Sequence, residues 1–259
     1  MNSEFFYSLE RPLHLLPSHS QVRSVNLKYL PEYVSRLGGD YRDILGRYDI
    51  EHYAALDPEA FIDCKAFVDM FEYCAQKFND PLFGFHLAQK QQADVYGFVT
   101  ALCRSAATIG EAVQCLIDYL PLIHSTESVL ELVKGKEISE LRWTERSNMG
   151  SNDQANCQGL LLNLKLLQEI GGESFTAAYV TLPAEVYHRI SQDVARDLRC
   201  PLRINTGRLC IAFRQSVCRS QRSMRTYLFS SCLTVICRGL GRLKRLAWLA
   251  GCRTMLPLR

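Results

Sequence analysis

Six histidines, eleven cysteines and a few paired carboxylates are the side chains of this chain best suited to holding a metal or moving a proton. Their spacing supports neither. A zinc site draws on Cys or His pairs a few residues apart, because one turn must present two ligands to one ion. His14, His19, His52, His86, His124 and His188 are scattered, and Cys64, Cys74, Cys103, Cys115 and Cys157 stand far apart with no CxxC. These cysteines read as small apolar side chains of a core. The pairs Glu169/Glu173 and Glu137/Glu140 flank turns and read as solvated, whereas acid–base work needs an environment that tunes the pKa. No GxGxxG follows a strand, and GxxxxGK[ST], HExxH and GxSxG are missing. The aromatic stripe Phe67, Phe71 and Phe78 reads as core. The expectation is a protein that is not an enzyme, with no catalytic residues, no metal and no cofactor. A small ligand would be lined by amphipathic side chains near element ends, where packing leaves a cleft; Tyr96, Tyr119, His124 and Trp143 are the candidates for ligand binding.

Those side chains must be positioned by elements whose limits the sequence marks. Residues 1–24 show no helical period and read as a flexible lead-in. Pro31 in a first turn and Gly38-Gly39 at the end predict a helix over 30–37, and Asp40 can cap another over 41–47. Over 65–78, Phe67, Met70, Phe71, Cys74 and Phe78 recur at helical spacing and form one buried stripe. The Asn79-Asp80-Pro81 turn ends that helix, and a short one follows over 81–90. Thr108 and Glu111 match a capping box, with Ala112, Cys115, Leu116 and Tyr119 as the apolar face behind it and Pro121 closing the helix.

Residues 128–134 and 137–144 predict a hairpin about Lys134-Gly135-Lys136 that buries Leu130, Leu132, Leu141 and Trp143. Ile138 has the wrong parity for that face, which leaves room for a bulge or a slipped register. A second capping box, Ser151 to Gln154, opens the best-marked helix, with Cys157, Leu160, Leu161, Leu164, Leu167 and Ile170 in its stripe and Gly171-Gly172 as its end. A strand over 176–182, a helix over 184–198 and a hairpin of 202–204 with 209–213 around Asn205-Thr206-Gly207 complete the pattern. This order predicts an α+β fold: N-terminal helices followed by a mainly antiparallel sheet with packed helices.

Charge divides the chain in two. Residues 1–197 hold all 27 acids against 17 bases, whereas residues 198–259 hold twelve Arg, one Lys and no acid. The acidic part gains nothing from a polyphosphate, so any affinity for nucleic acid has to come from the C-terminal stretch. Residues 1–17 lack the charged-then-apolar pattern of a signal peptide, which points to a reducing cytoplasm and unpaired cysteines. The apolar stretch 227–237 is interrupted by Ser230 and Ser231 and is too short to span a bilayer, so no membrane partner is expected.

Three motifs in order, Asp80-Pro81-Leu82-Phe83-Gly84-Phe85-His86-Leu87-Ala88, Asp94-Val95-Tyr96-Gly97-Phe98 and Ala107-Thr108-Ile109-Gly110-Glu111-Ala112, stand together with Tyr119. They resemble the N-terminal effector-sensing domain, of the arabinose-binding type, of AraC/XylS-type transcription regulators. Arg199-Cys200-Pro201-Leu202-Arg203-Ile204 and Leu209-Cys210-Ile211-Ala212-Phe213 look like that domain's closing hairpin. The resemblance spans 25–214. It implies a ligand-sensing, regulatory domain whose partners are an unknown small-molecule effector and a second chain, as a homodimer or as a heterodimer with intact relatives.

Regulators of this kind place two helix-turn-helix units after the sensing domain, and nothing in residues 215–259 reproduces a recognition helix. This Arg-, Cys- and Ser-rich tail is expected to be no folded domain and to bind no DNA specifically. Departure from an ancestral reading frame near residues 215–218 would account for its composition; reading the other two frames from codon 214 tests this. Leu240, Leu243 and Leu246 with Arg242, Lys244 and Arg245 permit a short basic amphipathic helix. The alternative function is a protein that binds nucleic acid or an anionic membrane through this tail.

Overall fold

The first helices form where the sequence supplies their ends. The structure, a computed structural model, describes residues 20–58, 60–120, 124–125, 128–145, 150–172, 175–205 and 209–219. Pro31 occupies the first turn of α1 (Leu30–Arg36), and Gly38, at φ +80°, follows its end. Asp40 caps α2 (Tyr41–Arg47), accepting from the Arg42 N–H at 2.8 Å. Asp63 caps α3 (Cys64–Lys77) through the Ala66 N–H at 2.8 Å, and the stripe Phe67, Met70, Phe71 and Cys74 is buried. The Phe67 and Phe71 rings lie 4.3 Å apart, and Phe71 meets Phe83, the first residue of α4 (Phe83–Lys90), edge-on.

A 3-10 turn (Ala93–Tyr96) then leads to Gly97, at φ +55° and ψ −123°, a conformation that side-chain-bearing residues avoid, and to α5 (Phe98–Ser105). The Thr108 hydroxyl accepts from the Glu111 N–H at 3.2 Å, as a capping box requires. Glu111 reaches one residue further back than usual, to the Ala107 N–H at 2.9 Å, at the head of α6 (Ile109–Tyr119). The buried face of α6 is Ile109, Ala112, Val113 and Leu116, rotated from the predicted one, for Cys115 and Tyr119 are only half-buried.

Strands β1 (Gln21–Arg23), β2 (Phe61–Asp63) and β3 (His124–Ser125) form a small antiparallel sheet with β1 in the middle. Strands of two or three residues carry too little alternation to be read from sequence, and β1 lies inside the stretch 1–24 read as a lead-in. In the larger sheet, β4 (Ser128–Lys134) and β5 (Ile138–Glu145) pair in unbroken register, Leu130 opposite Trp143 and Leu132 opposite Leu141. No slip occurs at Ile138, which pairs with Arg214 on the other face. The irregularity lies instead between β6 (Ala177–Pro183) and β8 (Cys210–Arg214), at Ala177 and Tyr179.

The order is β4-β5-β8-β6-β7, with β7 (Leu202–Asn205) parallel to β6 and the other pairs antiparallel. The predicted hairpin of 202–204 with 209–213 therefore does not form, because β6 lies between the two strands. Helical turns between β6 and β7 bring β7 back parallel on one side of β6, and β8 takes the other. Those turns are two short helices, α8 (Ala184–Tyr187) and α9 (Gln192–Leu198), where one helix over 184–198 was predicted; the chain is extended at Ser191, which starts the second.

Helix α7 (Asp153–Gly171) runs through the centre, with Cys157, Leu160, Leu161, Leu162, Leu164, Leu166, Leu167 and Ile170 all buried. The fold is α+β. The chain continues past β8 in a 3-10 turn (Gln215–Arg219): the Gln215 N–H donates to the Glu137 carbonyl at 2.7 Å, and Val217 is buried. All these elements belong to one unit, Pro17–Arg222. Pro121, the turn residues Thr206 and Gly207, the stretch 227–237 and the helix expected near Leu243 lie outside the described residues.

Candidate ligand-binding site

The central helix is held on one side by polar groups of α3 and α4. Its predicted capping box does not form: Asn152 precedes the helix with no side-chain cap, and the Glu72 carboxylate of α3 accepts from the Gln154 N–H at 2.8 Å instead. A carboxylate there meets the positive end of the helix dipole. Burial pushes the Glu72 carboxyl above the usual range, and the Gln154 N–H draws it partly back. Gln154 cannot complete a local box because its side chain is engaged with α4, donating to the Pro81 carbonyl at 3.1 Å and accepting from the Gly84 N–H at 3.0 Å. A Cβ at Gly84 would fall inside the Gln154 carbonyl, so the two backbones approach as closely as glycine permits.

Further along, Gln158 Nε2 donates to the Asn26 carbonyl at 2.8 Å and to Gln91 Oε1 at 2.9 Å. Lys165 Nζ donates to the carbonyls of Ala88, Gln89 and Gln91 at 2.8, 3.0 and 2.7 Å, closing the C-terminus of α4. Desolvation lowers the pKa of this lysine. Gln154, Gln158 and Lys165 recur at helical spacing and make one stripe.

A second stripe with the same spacing, Asn152, Asn156, Gly159 and Asn163, lines a cavity of about 110 Å³. The apolar wall comes from Val22 of β1, Phe67 and Val68 of α3, Leu120 after α6, and the cross-strand pair Leu130 and Trp143. Asn163 is 2% exposed; its Nδ2 donates to the Gly159 carbonyl at 2.7 Å, and its Oδ1 has no hydrogen-bond partner. A Cβ at Gly159 would meet nothing within 4 Å. Among the described residues that line the cavity, none is Asp, Glu, Lys, Arg or His.

Of the four residues expected to bind a ligand, Tyr96 and Trp143 line this cavity. Tyr96 is held at the end of the 3-10 turn by Gly97, and burial raises the pKa of its phenol. Tyr119 does not line it, although its neighbour Leu120 does; it is half-buried, and burial raises its phenol too. His124 pairs through its backbone with Val22, and its side chain lies outside the described residues. The asparagines were missed, yet their signal is in the sequence: amides four and seven residues apart, with Gly159 between, beside an otherwise Leu-rich stretch.

The other groups with chemical potential are satisfied structurally. Glu169 accepts from Arg104 at 2.6 Å, and Glu140 accepts from Arg142 at 2.7 Å and from the Tyr179 hydroxyl. Burial pushes the Cys74 thiol up to about 12, which leaves it unreactive. Asp80 accepts from the Tyr33 hydroxyl at 2.6 Å and from the Leu82 N–H at 3.2 Å, and its carboxylate pairs with His86 Nδ1 at 2.9 Å. Burial works to raise the Asp80 carboxyl, but the bonds from His86 and Tyr33 outweigh it and hold it below the usual range; the same Asp80 bond raises His86. A broader depression at the ends of β5 and β8, lined by Lys136, Glu137, Arg214 and Gln215, lies against the last described residues. The smaller cavity, with its apolar wall and converging amides, is the better ligand site.

The class of protein is a transcription regulator's sensing domain. Residues 38–221 match the model of the arabinose-binding domain of AraC transcription regulators, N-terminal; the chain belongs to this family and is not an enzyme. It is similar to the HTH-type transcriptional regulator VirS of Mycobacterium tuberculosis, strains CDC 1551 / Oshkosh and ATCC 25618 / H37Rv. Identity is 30% over 124 residues, covering 48% of this chain and 36% of the length of those relatives. The crystal structure of the transcriptional regulator CdpR from Pseudomonas aeruginosa aligns with 84% of this chain and 70% of its own, at a TM-score of 0.46 and 16% identity. Among the described residues, no helix is long and apolar enough to cross a membrane.

Proposed function

We propose that this domain senses a small-molecule effector held in the cavity beside α7, and that occupancy favours one arrangement of the domain over another to regulate transcription. The observation that carries this reading is the stripe Asn152, Asn156, Gly159 and Asn163. Asn163 in it is buried with its Oδ1 without a hydrogen-bond partner, and an unmet buried amide is costly. Tyr96 and Trp143 contribute the aromatic wall, and Val22 and Leu120 add to the apolar one. The domain so read takes in β1 and the Gln215–Arg219 turn. It works in the cytoplasm, as a homodimer or paired with a related regulator, and the basic stretch after it reads no operator.

The test is a thermal-shift screen of the full chain with amino acids, sugars (arabinose among them), fatty acids and aromatic acids. A ligand of the folded state raises its apparent stability. The expected result is a saturable rise in Tm that Gly159→Phe, which fills the cavity, abolishes. A rise that persists in the folded variant overturns the site.

A second reading, electrostatic binding of nucleic acid or an anionic membrane, draws on the nine bases and no acid after Gln215. Deletion of residues 222–259 would then abolish salt-sensitive binding to duplex DNA or anionic vesicles and leave the Tm unchanged. Binding that survives the deletion rejects it.

A further inference from the structure

We infer that the effector is a small uncharged molecule with an apolar body and an O–H or N–H donor on one face; this rests on the cavity being the effector site. A volume of about 110 Å³ admits roughly four or five non-hydrogen atoms, given that an apolar cavity of about 150 Å³ accepts benzene, which has six. The wall contributed by Phe67, Val68, Leu130 and Trp143 is apolar, and α7 contributes the amides. A carboxylate or an ammonium group in this space would give up its hydration and meet no counter-charge among the described lining residues. A polyol is disfavoured for a related reason, because its hydroxyls would lie against aliphatic and aromatic carbon without partners.

Asn163 sets the direction of the hydrogen bond. Its Nδ2 is satisfied by the Gly159 carbonyl, four residues back on the same helix. That leaves Oδ1, an acceptor on a side chain 2% exposed and with no hydrogen-bond partner, at the cavity wall. Flipping the amide would turn an acceptor toward the Gly159 carbonyl, which has no proton to give. The group that completes Asn163 therefore donates. Gly159 beside it leaves the space open, since a Cβ there would touch nothing.

Titration calorimetry of the full chain with propionamide, pyrrole, furan, propionate, propylammonium and ethylene glycol, all small enough for this volume, tests the inference. Propionamide and pyrrole should bind at least about ten-fold more tightly than the other four, the margin of one buried hydrogen bond. Asn163→Leu should bring pyrrole and furan to within about two-fold of each other by removing that bond. Gly159→Phe, or Gly159→Leu where phenylalanine impairs folding as judged by circular dichroism, should abolish binding of both. Propionate, propylammonium or ethylene glycol binding as tightly as propionamide, and lost on filling the cavity, overturns the uncharged-donor inference and leaves the cavity as the effector site. Binding of none of the six overturns the inference as well. Binding that survives in a folded Gly159 variant overturns the cavity reading itself.

Discussion

The two polar stripes of α7 have the same spacing and opposite fates. Gln154, Gln158 and Lys165 hold α4 and the turn at Asn26 with hydrogen bonds of 2.7 to 3.1 Å. Asn152, Asn156, Gly159 and Asn163, about half a turn around the helix, border a cavity that Gln158 and Asn26 also reach. The contrast separates polar residues that hold α7 to its neighbours from residues that border open space, among which Asn163 Oδ1 has no hydrogen-bond partner. The glycines mark the same division. Gly84 allows α4 to touch the Gln154 backbone, whereas Gly159 leaves open space.

Four substitutions test this contrast. Gly84→Ala should have the largest effect: the added methyl meets backbone that cannot rotate away, and urea denaturation should show a loss of about 3 kcal/mol. An unchanged midpoint would mean that the two helices are not in close contact. Lys165→Met should cost about 2 kcal/mol, because it leaves the last carbonyls of α4 without their donor while keeping the side-chain volume; a neutral result would reduce this lysine to a surface group.

His86→Gln tests the frame around α4. The folded pKa of His86 is raised, so its pairing with Asp80 stabilises fully below about pH 6.5, the ordinary histidine value, and is lost as pH rises through the folded value. The Asp80 carboxyl is depressed, so its contribution is present above about pH 3.9 and disappears as pH falls through the folded value. The wild type should thus exceed His86→Gln by about 1 kcal/mol near pH 6, with the gap closing toward pH 9. A gap that widens with pH would contradict the assigned pairing.

Gly159→Ala should have the smallest effect and the opposite sign, a gain of about 0.5 to 1 kcal/mol, because it lowers the entropy of the unfolded chain and meets no neighbour. Destabilisation there would mean that the space beside α7 is already filled by protein.

The parts legible in the sequence are those decided locally. Pro31, Asp40, Thr108 and the glycines after α1 and α7 mark helix ends through contacts within a few residues, and the β4–β5 hairpin follows from its own turn. The pairing of β6, β7 and β8 is not legible, because it depends on which side of β6 a returning strand occupies. The box at Ser151 to Gln154 looks complete in sequence and fails because Pro81 and Gly84, some seventy residues away in the chain, engage Gln154. The motifs that carry the family resemblance turn out to position the frame: Asp80 joins Tyr33 and His86, Gly84 permits contact and Gly97 turns the chain, with Tyr96 alone among these at the cavity. The asparagine spacing is present in the sequence, but the leucines of the same helix dominate any measure of its periodicity.

Helices α4 and α7 run side by side in the same direction, since the Gln154 end meets Pro81 and Gly84 while the Lys165 end meets Ala88 to Gln91. Parallel helices place like poles together. Here an anion at one end of the pair, Glu72, and a cation at the other, Lys165, offset that repulsion from opposite sides. With the backbones touching at Gly84, sliding of α4 along α7 would break the bonds of Gln154 to Pro81 and Gly84 and those of Lys165 to the carbonyls that end α4 at once. The pair is thus built as a single beam, and the chain bends beyond it at Gly97 and Gly172, both at positive φ.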